Sequence, residues 1–99
     1  MKNITLVCSE GMSTGLLVVQ MQEAAKRNRI EVEIRAMSEI KFKKFQGQTD
    51  ILLLGPQIGF LLSELKAEYE PKGMKVNVID SIDYGMMNGE KVLNDALNL

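Results

Sequence analysis

The chain has 99 residues, the size of a single domain. Its 12 Lys and Arg nearly balance 13 Asp and Glu, for a net charge of −1, so no basic footprint for nucleic acid is offered. The hydrophobic fraction, 45%, is that of a globular chain, and no apolar run approaches the roughly 20 residues that span a bilayer.

Lys2 to Val7 reads as a strand, buried on both faces around Ile4, Leu6 and Val7. Cys8 to Gly15 is a Gly- and hydroxyl-rich handover, after which Leu16 to Arg29 shows helical spacing with Met21, Ala24 and Ala25 inward. Ser13 or Thr14 is expected to cap that helix. Lys26, Arg27 and Arg29 suit its C-terminus. Glu31 to Ala36 alternates charged and apolar residues, the mark of an edge strand. Ser38 to Phe45 is a short helix whose Lys41, Lys43 and Lys44 form a solvated face; Gln46 to Thr49 is its exit loop. Ile51 to Leu54 is uniformly apolar and reads as a second central strand.

Gly55-Pro56-Gln57 turns into a helix with Pro in the favoured first turn, and Ile58, Leu61, Leu62, Leu65 and Tyr69 form one inward stripe. Pro71 and Gly73 break it. Val76 to Ile79 is the other edge strand. Asp80 to Asn88 is turn-rich, and Gly89 to Leu97 is a last helix with Val92, Leu93, Ala96 and Leu97 apolar. Right-handed crossovers turn this βαβαβαβα pattern into one open four-stranded parallel sheet with helices on both faces. Buried first and third strands and exposed second and fourth give the order 2-1-3-4. The switch point then lies between the first and third strands, where ligands bind in such sheets.

Cys8, the single cysteine, stands at that switch point. Loop N–H groups and the first turn of a helix favour negative charge there, thiolate or phosphate alike. With no histidine, the chain builds no Cys-His pair and no Ser-His-Asp triad, and a zinc site would have only carboxylates beside the one thiol. The loop has no Walker lysine, no G-x-G-x-x-G and no second cysteine. Cysteine phosphatases on a similar scaffold carry Cys-x5-Arg, but the sixth residue after Cys8 is Thr14, and no Arg stands in the loop. An anion cradle remains without the clamp for hydrolysis. Met12 in the loop is expected near the surface, and the other methionines mostly in the core. The Glu10 carboxylate must point away from a bound anion. A lone cysteine ending a strand can also be a small buried hydrophobe, Gly11 a turn residue, and Ser13 and Thr14 caps alone.

Cys8-Ser9-Glu10-Gly11-Met12-Ser13-Thr14, Leu54-Gly55-Pro56-Gln57-Ile58, and Ile79-Asp80-Ser81 followed by Tyr84-Gly85 together resemble one family. It is the IIB component of the bacterial phosphoenolpyruvate-dependent sugar phosphotransferase system (PTS), lactose/cellobiose/chitobiose class. The resemblance covers essentially residues 1–99, a single IIB domain, and implies a fold similar to low-molecular-weight tyrosine phosphatases. It implies that Cys8 accepts a phosphoryl group from a phosphohistidine on the IIA component and passes it to a disaccharide held by the membrane IIC component. Ser9, Glu10, Gly11, Met12, Ser13, Thr14 and Gly15 would bind the phosphoryl group through the loop. Members of the family often carry serine where this chain has Gly15. No metal, cofactor or nucleic acid is expected.

Met1-Lys2-Asn3 leads straight into a strand with no signal-peptide pattern, and a lone cysteine fits a reducing compartment. A cytoplasmic location is therefore expected, with peripheral membrane association through IIC. The competing readings are a low-molecular-weight cysteine phosphatase or arsenate reductase relative, with Asp80 or Asp83 beside Tyr84 as its acid, and a non-catalytic anion-binding module.

Overall fold

The computed structural model of the chain describes residues 1–9, 12–45 and 47–99, the side chains of Met12 and Ser13 excepted. Its parallel sheet runs β2 (Val32–Ser38), β1 (Lys2–Cys8), β3 (Ile51–Leu54), β4 (Lys75–Val78), the order 2-1-3-4 read from the sequence. The helices are α1 (Met12–Arg27), α2 (Glu39–Lys44), α3 (Leu62–Tyr69), α4 (Ser81–Gly85) and α5 (Gly89–Leu97).

The register sets the two layers. Ile4 faces Ile34 and Ile51 across the ladders, and Leu6 faces Ala36 and Leu53. With a side-chain period of two, this row lies on one face, packed under Leu17, Met21 and Ala24 of α1 and Val92, Leu93 and Ala96 of α5. Val7, Leu52, Leu54 and Val76 form the opposite row, against Phe42 of α2 and Leu65 of α3. Each large aliphatic side chain fully buried this way contributes about 1.5–3 kcal/mol.

At the amino end of the sheet, the buried Thr5 hydroxyl bonds the Thr49 hydroxyl at 2.8 Å, and Arg35 donates to Thr5 Oγ1, Asn3 Oδ1 and the Gln48 carbonyl. The Asn3 backbone N–H, with the Gln48 side chain behind it, holds the Asp50 carboxyl below its ordinary value.

Several boundaries differ from the sequence reading. α1 starts at Met12, not Leu16, so Thr14 lies inside its first turn and is not its cap. It ends at Arg27, and Arg29 follows in the left-handed region at φ 55°. β2 continues to Ser38, whose side chain then caps α2 by accepting from the Lys41 N–H. Pro56 to Leu61 is a 3₁₀ segment bent at Ile58, so the expected single helix splits in two. Its inward stripe persists, with Ile58 and Leu65 buried and Leu61, Leu62 and Tyr69 half-buried. The turn-rich segment contains α4, which Asp80 caps by accepting from the Ile82 and Asp83 N–H groups. Of the methionines whose side chains are described, only Met21 is fully buried, while Met1 and Met86 are exposed.

The first helix is seated by a close backbone approach. A β-carbon on Gly89 would lie 2.5 Å from the Gln20 carbonyl carbon and 2.6 Å from the Met21 nitrogen. Those are backbone atoms and cannot rotate aside, so only glycine lets the start of α5 rest on α1. Gly89→Ala is expected to destabilise the protein by about 1–3 kcal/mol, the usual range for overpacking. A lowered urea midpoint at unchanged slope would show it; an unchanged midpoint would mean that the helices separate freely.

Candidate active site

Cys8 is the last residue of β1, paired across the ladder with Ser38 of β2. On the other side the Gly55 N–H donates to the Val7 carbonyl at 2.8 Å, carrying the β1–β3 pairing one step past β3. Cys8 shares the strand parity of Ile4 and Leu6, so its side chain turns toward the α1 layer. There its Sγ lies 3.4 Å from the Thr14 hydroxyl, both groups buried. A thiol at a strand end and a hydroxyl in the first turn of the next helix thus meet across the handover loop.

The loop calls resolve unevenly. Ser9 is exposed, Thr14 is fully buried, and Gly15 is half-buried in α1. A β-carbon at Gly15 would meet nothing within 4 Å, so a serine would fit there. Met12 and Ser13 belong to the first turn of α1, their side chains outside the described residues. Glu10 and Gly11 lie outside the described residues altogether. No acidic side chain occupies the first turn of α1, leaving the positive end of its dipole unopposed by its own residues.

The carboxylates beyond β4 are committed elsewhere. Asp80 caps α4, its Oδ1 2.9 Å from the Ile82 nitrogen. Asp83 is buried and pairs with Lys91 Nζ at 2.9 Å. Neither is an unengaged acid of the kind a phosphatase uses to protonate a leaving group. Among the described residues, no group of three or more His, Cys, Asp or Glu could hold a metal ion, and no helix is long and apolar enough to cross a membrane.

Comparison with known proteins decides between the readings. Residues 3–95 match the family model described as "PTS system, Lactose/Cellobiose specific IIB subunit". The chain belongs to this IIB family. It is 46% identical to the oligo-beta-mannoside-specific EIIB component of Bacillus subtilis, over all of this chain and 96% of that one. The solution structure of the cellobiose-specific IIB component of Borrelia burgdorferi superposes with a TM-score of 0.77 at 42% identity, covering 98% of this chain and 89% of that one. The YwlE mutant structure from Bacillus subtilis, of the low-molecular-weight tyrosine phosphatase type, gives 0.59 at 13% identity over 94% of each chain. That last likeness is one of fold alone. IIB components are phosphotransferases that pass a phosphoryl group toward sugar, and the phosphatase alternative is not favoured.

Sequence reasoning offered Ser13 or Thr14 as a cap and Thr14 as a loop residue of the site, and missed its hydroxyl as the thiol's partner. It also missed the Lys91–Asp83 pair and α4, although Asp80 stands at the cap and Asp83 at the third position of the first turn, a signal for a helix start. If the loop forms an anion site at Cys8, inorganic phosphate should slow iodoacetamide alkylation of the thiol. Thr14→Val, which keeps the shape and removes the hydroxyl, should fold and weaken that protection. Equal alkylation with and without phosphate in the wild type would show that no such site forms.

Proposed function

We propose that this IIB component carries its phosphoryl group on Cys8. The observation that supports this most is the position of Sγ, at the end of the central strand and against the first turn of α1. In the first transfer, the Cys8 thiolate attacks the phosphorus of a phosphohistidine on IIA. The S–P bond forms as the P–N bond breaks, and the imidazole nitrogen keeps the electron pair. In the second, a hydroxyl oxygen of the sugar held by IIC attacks the same phosphorus. The S–P bond breaks, the thiolate is restored, and the hydroxyl proton passes to a base of the membrane component.

Phosphoryl transfer of this kind is mostly positioning and charge stabilisation, so a small domain suffices when its partners bring the other groups. The N–H groups from Ser9 to Gly15 would hold the dianion. The acceptor is a disaccharide of the cellobiose, lactose or chitobiose type, chosen by IIC. The protein works in the cytoplasm and meets the membrane only through that component. Incubation with phosphoenolpyruvate, the general phosphotransferase proteins and IIA should label Cys8 alone, as mapped by peptide mass spectrometry. A phosphoryl group found on Ser13, Thr14 or Tyr84 would overturn the assignment.

Partner docking would use the carboxyl end of the sheet. Leu16 is 64% exposed, Phe60 80%, Ile82 70% and Met86 73%. All four follow strand ends, on α1, the 3₁₀ segment, α4 and the residue that caps α4 at its C-terminus. Ile58, expected in the core from its inward stripe, is buried, as is Tyr84, and Met12 falls outside the described side chains. An apolar rim of this kind suits brief encounters with two partners in turn, with limited dependence on salt. Phe60→Asp is expected to weaken IIA binding about tenfold without altering the fold, a loss of the size common when an exposed apolar anchor is replaced. In an NMR titration with unphosphorylated IIA, signals of Thr14 to Leu16, Gly59 to Leu61 and Ile82 to Met86 should move. Shifts confined to Lys41 to Lys44, with affinity collapsing as salt rises, would place the contact on the wrong face.

A further inference from the structure

Gly55, the residue that leaves β3 beside β1, is flanked by two side chains. A β-carbon built on it would lie 2.9 Å from Gln57 Oε1 and 3.2 Å from Cys8 Cβ. Gln57 is exposed and stands in the first turn of the 3₁₀ segment, yet its carboxamide oxygen lies back against Gly55, where a β-carbon would also touch Cys8 Cβ. That space exists only because residue 55 has no side chain. The backbone does not otherwise demand glycine there: Gly55 sits at φ −60°, ψ 148°, where any residue is at ease. The glycine therefore serves the approach and not the turn.

A carboxamide next to an anion-accepting thiol has a definite chemistry. Its NH₂ donates two hydrogen bonds and carries no charge. It can hold a non-bridging phosphoryl oxygen without the bidentate cationic clamp that an Arg would supply. We propose that Gln57 is a further phosphoryl-binding residue of this site, its carboxamide turning over about its last bond so that an N–H donates to the group on Cys8 across the space kept open by Gly55. The proposal rests on Cys8 being the carrier. The donor adds to the loop amides from the β3 side, the side of Cys8 away from Ser38 and β2. An exposed position lets the same carboxamide stay with the phosphoryl group while a partner closes over it.

The test is a double-mutant cycle in the full chain, with IIA phosphorylated by the general phosphotransferase proteins as donor. Gln57→Ala should fold with an unchanged thermal midpoint and lower the transfer rate to Cys8 about tenfold, the usual size for losing one hydrogen bond to a charged group. The phosphorus NMR shift of the phosphorylated protein should also move. Gly55→Ala should show a comparable loss, because its methyl displaces the mobile end of Gln57. The two losses should not add, so that Gly55→Ala costs little more once Gln57 is alanine. Transfer by Gln57→Ala within twofold of wild type, with an unmoved phosphorus shift, would overturn the proposal. So would a Gly55→Ala loss undiminished in the Gln57→Ala background, which would mean that the methyl acts on Cys8 directly. A wild-type protein that IIA does not label at Cys8 would instead overturn the carrier reading, and this inference with it.

Discussion

β1 exchanges backbone hydrogen bonds with β2 on one side and β3 on the other, so Cys8 at its end cannot slide or swing without breaking a ladder. Both faces of the strand are covered as well, by α1 and α5 on one side and by α2 and α3 on the other. The consequence is a thiol fixed to a central, largely buried strand yet placed at that strand's carboxyl end. The crossover from β1 leads to β2 on one side and that from β3 leads to β4 on the other, which makes the carboxyl end between β1 and β3 the switch point of the sheet. The Val7 carbonyl accepts from Gly55, so even the exit of β3 is tied to the residue before the cysteine.

A cysteine so placed serves either a hydrolase or a carrier, and the surrounding side chains separate the two. Hydrolysis needs an activated water, or an acid for the leaving group, and a cationic clamp for the transition state. This chain has no histidine, and residues 8–15 contain no arginine. The carboxylates after β4 are engaged, Asp80 in capping α4 and Asp83 with Lys91. Among the described residues, the side chain seen beside Sγ is neutral, the Thr14 hydroxyl. Neutral donors stabilise a dianion in place while giving water no help in removing it, which is the balance a phosphotransferase of the IIB family requires.

The sheet was legible because its signals are compositional. Ile51 to Leu54 admits only a buried strand, and the alternation of Glu31 to Ala36 only an edge, so the order 2-1-3-4 followed from which strands were apolar throughout. Helix starts were less legible because a hydroxyl has several uses. Thr14 fits a cap in isolation, but its contact with Cys8 places it inside the helix, a tertiary outcome that local sequence does not encode. The 3₁₀ segment shares the i, i+3 spacing of an α-helix, so the stripe from Ile58 to Tyr69 hid the bend at Ile58. α4 spans five residues, too few for a period to show. The topology brings the Gly55-Pro56-Gln57 turn and Cys8 to the same switch point, but the packing of the Gln57 carboxamide against Gly55 was not legible, because it depends on a missing β-carbon and a Gly-Pro pair already has a sufficient explanation as a turn.

The exposed apolar residues at the carboxyl end each stand within two positions of a buried anchor on the same element. Leu16 precedes buried Leu17, Phe60 follows buried Ile58, and Ile82 and Met86 flank buried Tyr84. An anchor inside the core fixes the backbone of a short element, so the neighbouring side chain is presented outward from a rigid base. A docking surface built this way loses little backbone freedom when a partner arrives, and affinity then depends on a few side-chain contacts. The same economy explains why the rim is apolar but discontinuous. Isolated apolar residues are tolerated on a soluble surface, whereas one contiguous patch would favour lasting association. A component that must release one protein before meeting the next is better served by several separated anchors around a single nucleophile.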